Sequence, residues 1–363
     1  MRKIVLIGNG FDLANGLSTS YNHFIEYLKD SMIVIKNNST PLIDVTWLSA
    51  TRHSGTLTYT TLTIDGKEDP WIGATIDSKT NKVQLMVTPR CKSIYFKYLF
   101  NKLISTNWCD LETAYFEILS AYNSIPESVL LINKEFEHLK KLLKNYLSER
   151  IEDKIFTPNG FTPTTYDKLF QLLKGDHLKK KSFHTYPEFI TFNYTSKVLR
   201  YYMSELISTF PKSYSNWDSA GPSSKPIHIH GDMMNNSKNP IIFGYGDDSS
   251  KEYLQLKTLM NNDLLKYFKT FQYLRTNRYQ KILNLLDKEN NGIYIQVIGH
   301  SYGLGDRTLL KTIFEHSNVR KIEATYHKDE DVYFDNLYNM SRIFDSTELM
   351  RTKVVPLEET FML

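Results

Sequence analysis

The chain is 363 residues long, 41% hydrophobic and 23% charged, and carries a net charge of +4. That length supports a large core in one elaborated domain or two, and the composition excludes a mainly disordered protein. A charge so small, with no basic stripe interleaved with aromatics, carries no specific nucleic-acid signal.

Cys91 and Cys109 are the only cysteines, too few for a disulfide framework or a CxxC zinc site, and they point to a reducing compartment. The sequence opens on an apolar strand rather than a signal peptide, and no apolar run approaches the roughly 20 residues a membrane helix needs. The expectation is a cytoplasmic protein with no membrane partner.

In chain order, Ile4-Val5-Leu6-Ile7 runs straight into Gly8-Asn9-Gly10-Phe11-Asp12. Four uninterrupted aliphatics read as a strand buried on both faces of a parallel sheet, ended by a glycine turn that something approaches closely. Ser18-Thr19-Ser20 offers caps for a helix in which Tyr21, Phe24, Ile25 and Leu28 keep helical spacing. Strand, glycine turn and helix N-terminus together present N–H groups and a positive dipole end, an arrangement suited to phosphate. The spacing is not GxGxxG, so a plain tight turn remains the alternative.

Residues 37–90 change character. Thr56 to Ile64 alternates with period two, Asp65-Gly66 and Ser78-Lys79-Thr80-Asn81 are turn signals, and Val83 to Val87 is a further strand. This reads as an inserted antiparallel patch, either surface decoration or a lid. From 93 to 178 the pattern is helical: Leu99, Leu103, Leu111, Tyr115 and Ile118 keep one face, and Phe136, Leu139, Leu143, Tyr146 and Leu147 another. Ser124-Ile125-Pro126-Glu127 has the form of a capping box, and Lys179-Lys180-Lys181 that of a solvated linker.

Strand and helix then alternate. Glu188 to Phe192 gives a strand into Asn193, and a helix follows through Val198, Leu199, Tyr202 and Leu206. Pro226 to His230 and Pro240 to Phe243 read as short strands, and Tyr253 to Leu286 as helix. Ile293 to Ile298 is a second buried strand ending in Gly299, with a helix from Arg307 to Phe314. Ile322 to Tyr326 and Lys353-Val354-Val355 read as the last strands, with a helix between them. The predicted fold is α/β: a parallel Rossmann-like sheet from residues 1–33 and 185–363, with a β-hairpin and helical insertion at 34–184. Ligands of such sheets sit at the carboxyl ends of strands, where Gly8-Asn9-Gly10, Asn193, His230 and Gly299-His300-Ser301 all fall.

Gly8-Asn9-Gly10-Phe11-Asp12, Thr191-Phe192-Asn193-Tyr194, His230-Gly231, Phe243-Gly244 and Gly299-His300-Ser301, in that order, resemble the sirtuin-like NAD-binding fold. A narrower resemblance rests on Gly8 to Leu13 running on to Thr19-Ser20-Tyr21, on Trp108, Asp110, Leu111 and Glu112, and on the Gly299 to Asp306 segment. It is to the bacteriophage abortive infection AbiH family, and it covers nearly the whole chain. These resemblances imply an antiphage NAD glycohydrolase that takes NAD as substrate and uses no metal. They imply nucleotide contacts at Gly8, Asn9, Gly10, Phe11, Asp12, Tyr21, Thr191, Gly299, Ser301 and Asp306, and catalytic roles for Asn193 and His230. An enzyme that depletes NAD also has to be held off until infection, by a homo-oligomeric switch, a regulatory partner or a ligand.

The chemistry is consistent with those residue types. Cleaving the nicotinamide–ribose bond passes through an oxocarbenium-like centre, so the protein has to orient a water and remove its proton. An Asn amide can hold the water and ribose hydroxyls, and a His titrating near neutral can act as base. The structural alternatives are that Asn193 caps a helix and that His230 is a packed core histidine or half of a His228/His230 metal pair. Deacetylation is not expected: deacetylases of the sirtuin class carry a four-Cys zinc module and an Asp two places after the catalytic Asn, where this chain has Thr195.

Two rival functions stand beside this reading. Gly299-His300-Ser301-Tyr302-Gly303 satisfies the G-x-S-x-G elbow of serine hydrolases, with Ser301 as nucleophile, although Asp306, His316 and His327 follow too closely to supply a triad from separate strands. The other is a module that senses a nucleotide without turning it over. Asp306 is expected to bind a ribose hydroxyl or to cap the helix from Arg307. Trp108, Asp110 and Glu112 are a family marker without an assigned role.

Overall fold

The computed structural model describes residues 1–34, 45–52, 55–64, 67–76, 83–87, 94–95, 97–99, 102, 110–153, 155, 166–174, 186–209, 225–235, 238–289 and 291–362. Side chains are described in these ranges except at 28–34, in the strands between 45 and 87, and at 166 and 235. The strands are β1 (Arg2–Ile7), β2 (Val45–Arg52), β3 (Gly55–Ile64), β4 (Lys67–Ile76), β5 (Val83–Val87), β6 (Glu188–Thr191), β7 (Ile227–His228), β8 (Ile293–Ile298) and β9 (Val319–Ala324). The helices are α1 (Asn9–Ala14), α2 (Tyr21–Val34), α3 (Leu111–Ala121), α4 (Pro126–Tyr146), α5 (Tyr166–Lys174), α6 (Lys197–Thr209), α7 (Lys251–Thr258), α8 (Lys269–Gln272), α9 (Arg278–Asp287), α10 (Arg307–Phe314), α11 (Glu330–Ser341) and α12 (Thr347–Lys353). No helix among the described residues is long and apolar enough to cross a membrane. The chain divides into two units, residues 1–19 with 147–250 and 267–363, and residues 20–146 with 251–266.

The first unit is built on a five-stranded, all-parallel sheet in the order β7-β6-β1-β8-β9. Strand β1 is central because it is apolar on both faces, which is what a strand with neighbours on either side and helices above and below requires. Ile4 and Leu6 join a core with Ile295 and Val297 of β8, Ile282 and Leu286 of α9, Leu310 and Ile313 of α10, and Met340 of α11. On the alternate face Lys3 is buried and its ammonium donates to the carbonyls of Leu172 and Leu173 at 3.2 and 3.0 Å. Those carbonyls lie in the last turn of α5, where a cation meets the negative end of the helix dipole.

Three expectations are corrected in this unit and at its border. Pro240 to Phe243 is not a strand: Ile242 N–H reaches the His230 carbonyl at 2.8 Å and Asp232 N–H reaches Asn239, single bonds that do not extend into a ladder. Lys353-Val354-Val355 is not a strand: α12 ends at Lys353, Val354 is its extended cap in a single bridge to Ile322, and Val355 N–H donates to the Ile322 carbonyl. The stretch from Tyr253 to Leu286 breaks into α7, α8 and α9: Met260 takes a left-handed φ of 54° and the Asn261 side chain caps the next turn through Asp263 N–H, and Thr276 is extended before α9.

The second unit holds an antiparallel sheet in the order β2-β3-β4-β5, as the alternation at 37–90 predicts. Ile64 pairs with Lys67 across Asp65-Gly66, the two-residue spacing of a hairpin. Ser20 Oγ accepts from His23 N–H at 3.2 Å at the start of α2, so one of the expected caps is in use. Helix α4 begins with Pro126 as its first residue, where a missing N–H costs nothing. Tyr115 and Phe136 stack at 4.0 Å, and Tyr146 packs on Phe24 and Tyr27. Asp110 acquires a structural role, since its carboxylate accepts from Glu112 and Thr113 N–H and caps α3. Trp108, both cysteines and the Lys179-Lys180-Lys181 run lie outside the described residues.

Candidate functional site

The turn after β1 packs directly on the turn after β8. Gly8 N–H donates to the Ile298 carbonyl, Gly10 N–H to the Gly299 carbonyl at 2.7 Å, and Phe11 N–H to the Gly8 carbonyl. A Cβ on Gly8 would lie 2.5 Å from His300 Cα, and one on Gly299 would lie 2.3 Å from Phe11 N. What approaches the glycine turn is therefore the chain's own backbone, and three of the N–H groups expected to meet phosphate are committed inside the protein. Asn9 is the exposed residue of the turn, while Phe11 is fully buried, edge-on to Tyr202 at 5.4 Å.

Asn193 reaches this turn from the end of β6. Its backbone N–H donates to Thr191 Oγ1 at 3.1 Å, which fixes the loop, and its side-chain amide donates to the Gly8 carbonyl at 3.1 Å. Helix α6 begins four residues later, so Asn193 is not spent as its cap. Asp12 is buried beside it and accepts from Thr195 Oγ1 at 2.5 Å. Thr195, the departure from the deacetylase pattern, is thus the hydroxyl that holds Asp12. Burial pushes the Asp12 carboxyl up to about 7, against the lowering effect of hydrogen bonds from Thr195 and Asn193. Ser196 anchors the same loop, with its N–H on Glu152 and its hydroxyl on Asp232, which also pairs with Arg200 at 3.0 Å.

A second knot lies against the first. Asp306 Oδ1 meets Lys269 Nζ at 2.8 Å and His230 Nε2 at 3.1 Å, and its Oδ2 meets His300 Nε2 at 3.3 Å. Asp306 occupies the N-cap position of α10, yet its carboxylate makes no capping bond. Burial alone would raise that carboxyl; Lys269, His230 and hydrogen bonds from both imidazoles outweigh it and hold it well below the usual range. His230 moves the other way: burial and the Lys269 charge lower it, and Asp306 opposes them. The Phe192 ring stands edge-on to both imidazoles, at 5.3 Å from His230 and 4.4 Å from His300.

His228 has a separate environment. Its Nδ1 lies 3.4 Å from the Asn193 carbonyl, and its Nε2 is buried without a hydrogen-bond partner. Burial pulls it down to about 4, so it is neutral at physiological pH. Among the described residues no group of three or more His, Cys, Asp and Glu side chains is arranged to hold a metal ion.

The structure thus brings together Gly8, Gly10, Asp12, Thr191, Asn193, His230, Gly299 and Asp306 at the carboxyl edge of one sheet. Ser301 is exposed, and Tyr21 belongs to the second unit. Sequence reasoning missed Lys269 and the pairing roles of His300 and Tyr273. The signal for Lys269 was there: a single Lys inside Tyr267-Phe268-Lys269-Thr270-Phe271 has to bury its charge with a partner.

Replacing Asp12 by Asn is expected to stabilise the protein at high pH. The folded wild type retains a proton that the unfolded chain releases between about 3.8 and 7, so its stability falls as pH rises through that window. At about 1.4 kcal/mol per pH unit the ceiling is about 4 kcal/mol, and the amide's unmet donors reduce the gain to about 1–2 kcal/mol. Urea midpoints at pH 8 and pH 5 check this: the advantage of Asp12→Asn should shrink toward pH 5.

No curated protein and no solved structure matches the chain. Residues 4–328 match the family model Bacteriophage abortive infection AbiH. Running from the first strand of the parallel sheet to just past the last, that match places both knots of the site within the family's own sequence, and the chain belongs to the bacteriophage abortive infection AbiH family.

Proposed function

We propose that this protein serves abortive infection as an NAD glycohydrolase, working at the carboxyl edge of the parallel sheet in a sirtuin-like, Rossmann-type frame within the cytoplasm. The observation that carries the reading is the bond from the Asn193 amide to the Gly8 carbonyl, which joins the two motifs across 185 residues. The strand order supports it: numbered within the sheet, the strands run 3-2-1-4-5, the order of dinucleotide-binding sheets, with the reversal beside β1.

In this reading a water held by Asn193 attacks the ribose C1′ while the carbon–nitrogen bond breaks. The bonding pair leaves with nicotinamide, and the water's proton passes to His230. Asn9 and Ser301, the exposed residues of the two turns, face the phosphates and the adenosine half, since the N–H groups of Gly8 and Gly10 are already used. A homo-oligomeric or partner-controlled switch keeps the enzyme silent before infection.

Incubating the purified protein with NAD and following nicotinamide release tests this. The expected result is steady release that drops to background in Asn193→Ala with nucleotide binding retained; equal trace release from both proteins sinks the enzyme. The second reading, a nucleotide sensor, is favoured by the commitment of Asn193 and His230 to bonds within the protein, and it predicts binding without release. A serine hydrolase is disfavoured. Ser301 Oγ has no described hydrogen-bond partner, and both nitrogens of the adjacent His300 are engaged, by Tyr302 N–H and by Asp306. The left-handed backbone of this turn falls on Gly299 and Tyr302 rather than on the serine.

A further inference from the structure

We infer that Asp306 is the positioning residue for His230: its carboxylate accepts from Nε2–H, which keeps the proton on Nε2 and leaves Nδ1 as the basic nitrogen of the site. The inference deepens the hydrolase reading and rests on it for the role of His230 as base. Its structural part stands on the contacts that surround His230 Nε2 and the Asp306 carboxylate.

An ionised carboxylate only accepts hydrogen bonds. Asp306 faces three groups, the Lys269 ammonium at 2.8 Å, His230 Nε2 at 3.1 Å and His300 Nε2 at 3.3 Å. For His300 the tautomer follows from its other nitrogen, because Nδ1 accepts from Tyr302 N–H at 2.9 Å and its proton must therefore sit on Nε2, facing Asp306. For His230 the same carboxylate decides. A bare Nε2 lone pair at 3.1 Å from a carboxylate oxygen repels it, whereas Nε2–H donates to it. No described residue hydrogen-bonds His230 Nδ1. The one competitor is the Tyr273 hydroxyl, also 3.1 Å from Nε2, its ring stacked on the imidazole at 6.1 Å and 7°. If Tyr273 donated to a bare Nε2, the proton would sit on Nδ1 and the imidazole could not act as base from that side.

The arrangement gives Asp306 the task a carboxylate performs behind a catalytic imidazole elsewhere: it fixes the tautomer and steadies the imidazolium that forms. Lys269 shares Oδ1, neutralises the carboxylate in the resting protein and holds it ionised. The charged and titratable groups facing His230 are thus Asp306, Lys269, His300, Tyr273 and, with its ring 6.3 Å away, Tyr194.

The test uses the full chain with ¹⁵N-labelled histidine rings, the His230 signals being assigned through His230→Gln. At pH 7.5 the wild type should carry its His230 proton on Nε2, and Tyr273→Phe should keep it there. Asp306→Asn should move it to Nδ1 or mix the two tautomers. It should also cut nicotinamide release about 100-fold and shift the acid limb of its pH profile downward, since the carboxylate raises the His230 pKa. A proton on Nδ1 in wild type, or a tautomer that follows Tyr273→Phe, overturns the assignment. A wild type that releases no nicotinamide but keeps the Nε2 proton removes the hydrolase and leaves Asp306 as the orienting group.

Discussion

Gly299→Ala should yield little soluble protein, and what folds should be less stable by about 3 kcal/mol or more. Two costs combine at this position. The φ of +66° is left-handed, which for a residue with a Cβ costs about 1–2 kcal/mol. The added carbon would lie 2.3 Å from Phe11 N and 2.6 Å from Gly10 C, backbone atoms held by the Gly10–Gly299 hydrogen bond and unable to yield cheaply. Gly16 provides the comparison, because its φ of +77° is equally left-handed but an added Cβ would meet nothing within 4 Å. Gly16→Ala should cost about 1 kcal/mol. Urea midpoints of the two variants separate strain from crowding, and equal midpoints would remove the close junction of the two turns as the reason for Gly299.

Lys269→Met should be nearly as damaging at pH 8, by about 3 kcal/mol, because it strands a part-buried carboxylate whose cation has been removed. Lys269 is almost fully buried and sits 2.8 Å from Asp306. The deficit should depend on pH in a definite sense. The Lys269 charge lowers the pKa of His230, so removing it lets His230 take up a proton at higher pH than in wild type and restore part of the lost charge. A group whose folded-state pKa rises gives stability that appears as pH falls through that value. The gap between variant and wild type should therefore narrow from pH 8 to pH 6. Adding Asp306→Asn to Lys269→Met should recover much of the loss, as removing both partners of a buried pair usually does. A gap independent of pH, or a double variant as weak as the single, would count against the charge cluster as the source of the effect.

The parallel sheet was legible because its strands bury both faces. Ile4 to Ile7 is an unbroken apolar run and Ile293 to Ile298 one interrupted only by the buried Gln296, each with glycine at the end. The antiparallel strands at 45–87 were legible for the opposite reason, their period of two. The failures have physical causes too. Lys353-Val354-Val355 has strand propensity, but α12 takes Lys353 and the two valines after it make only an isolated bridge to Ile322 rather than a strand. Tyr253 to Leu286 has helical spacing, and the breaks come from a left-handed Met260 with Asn261 and from an extended Thr276, none of which periodicity can see.

For the site, sequence order supplied the residues but not their bonds. That Asn193 and Asp12 lie together depends on the pairing of β1 with the distant β6, and Asp306 could be read only as a cap or a ribose ligand until Lys269 and two imidazoles were beside it. The role of Asp110 was equally hidden: a residue taken as a family marker turns out to hold the first turn of α3.

The placement of β1 at the middle of its sheet has a consequence for biosynthesis. Both neighbours of this strand come late in the polypeptide, β6 at Glu188–Thr191 and β8 at Ile293–Ile298. At about 5–20 residues per second, the ribosome needs on the order of tens of seconds to deliver the second of them. During that interval Ile4 to Ile7 has an unmatched edge and no final cover, so the nascent chain depends on chaperones or on temporary partners to avoid aggregation. Ribosome-bound chains halted before residue 293 should be protease-sensitive at their start, and chains released after residue 324 should not.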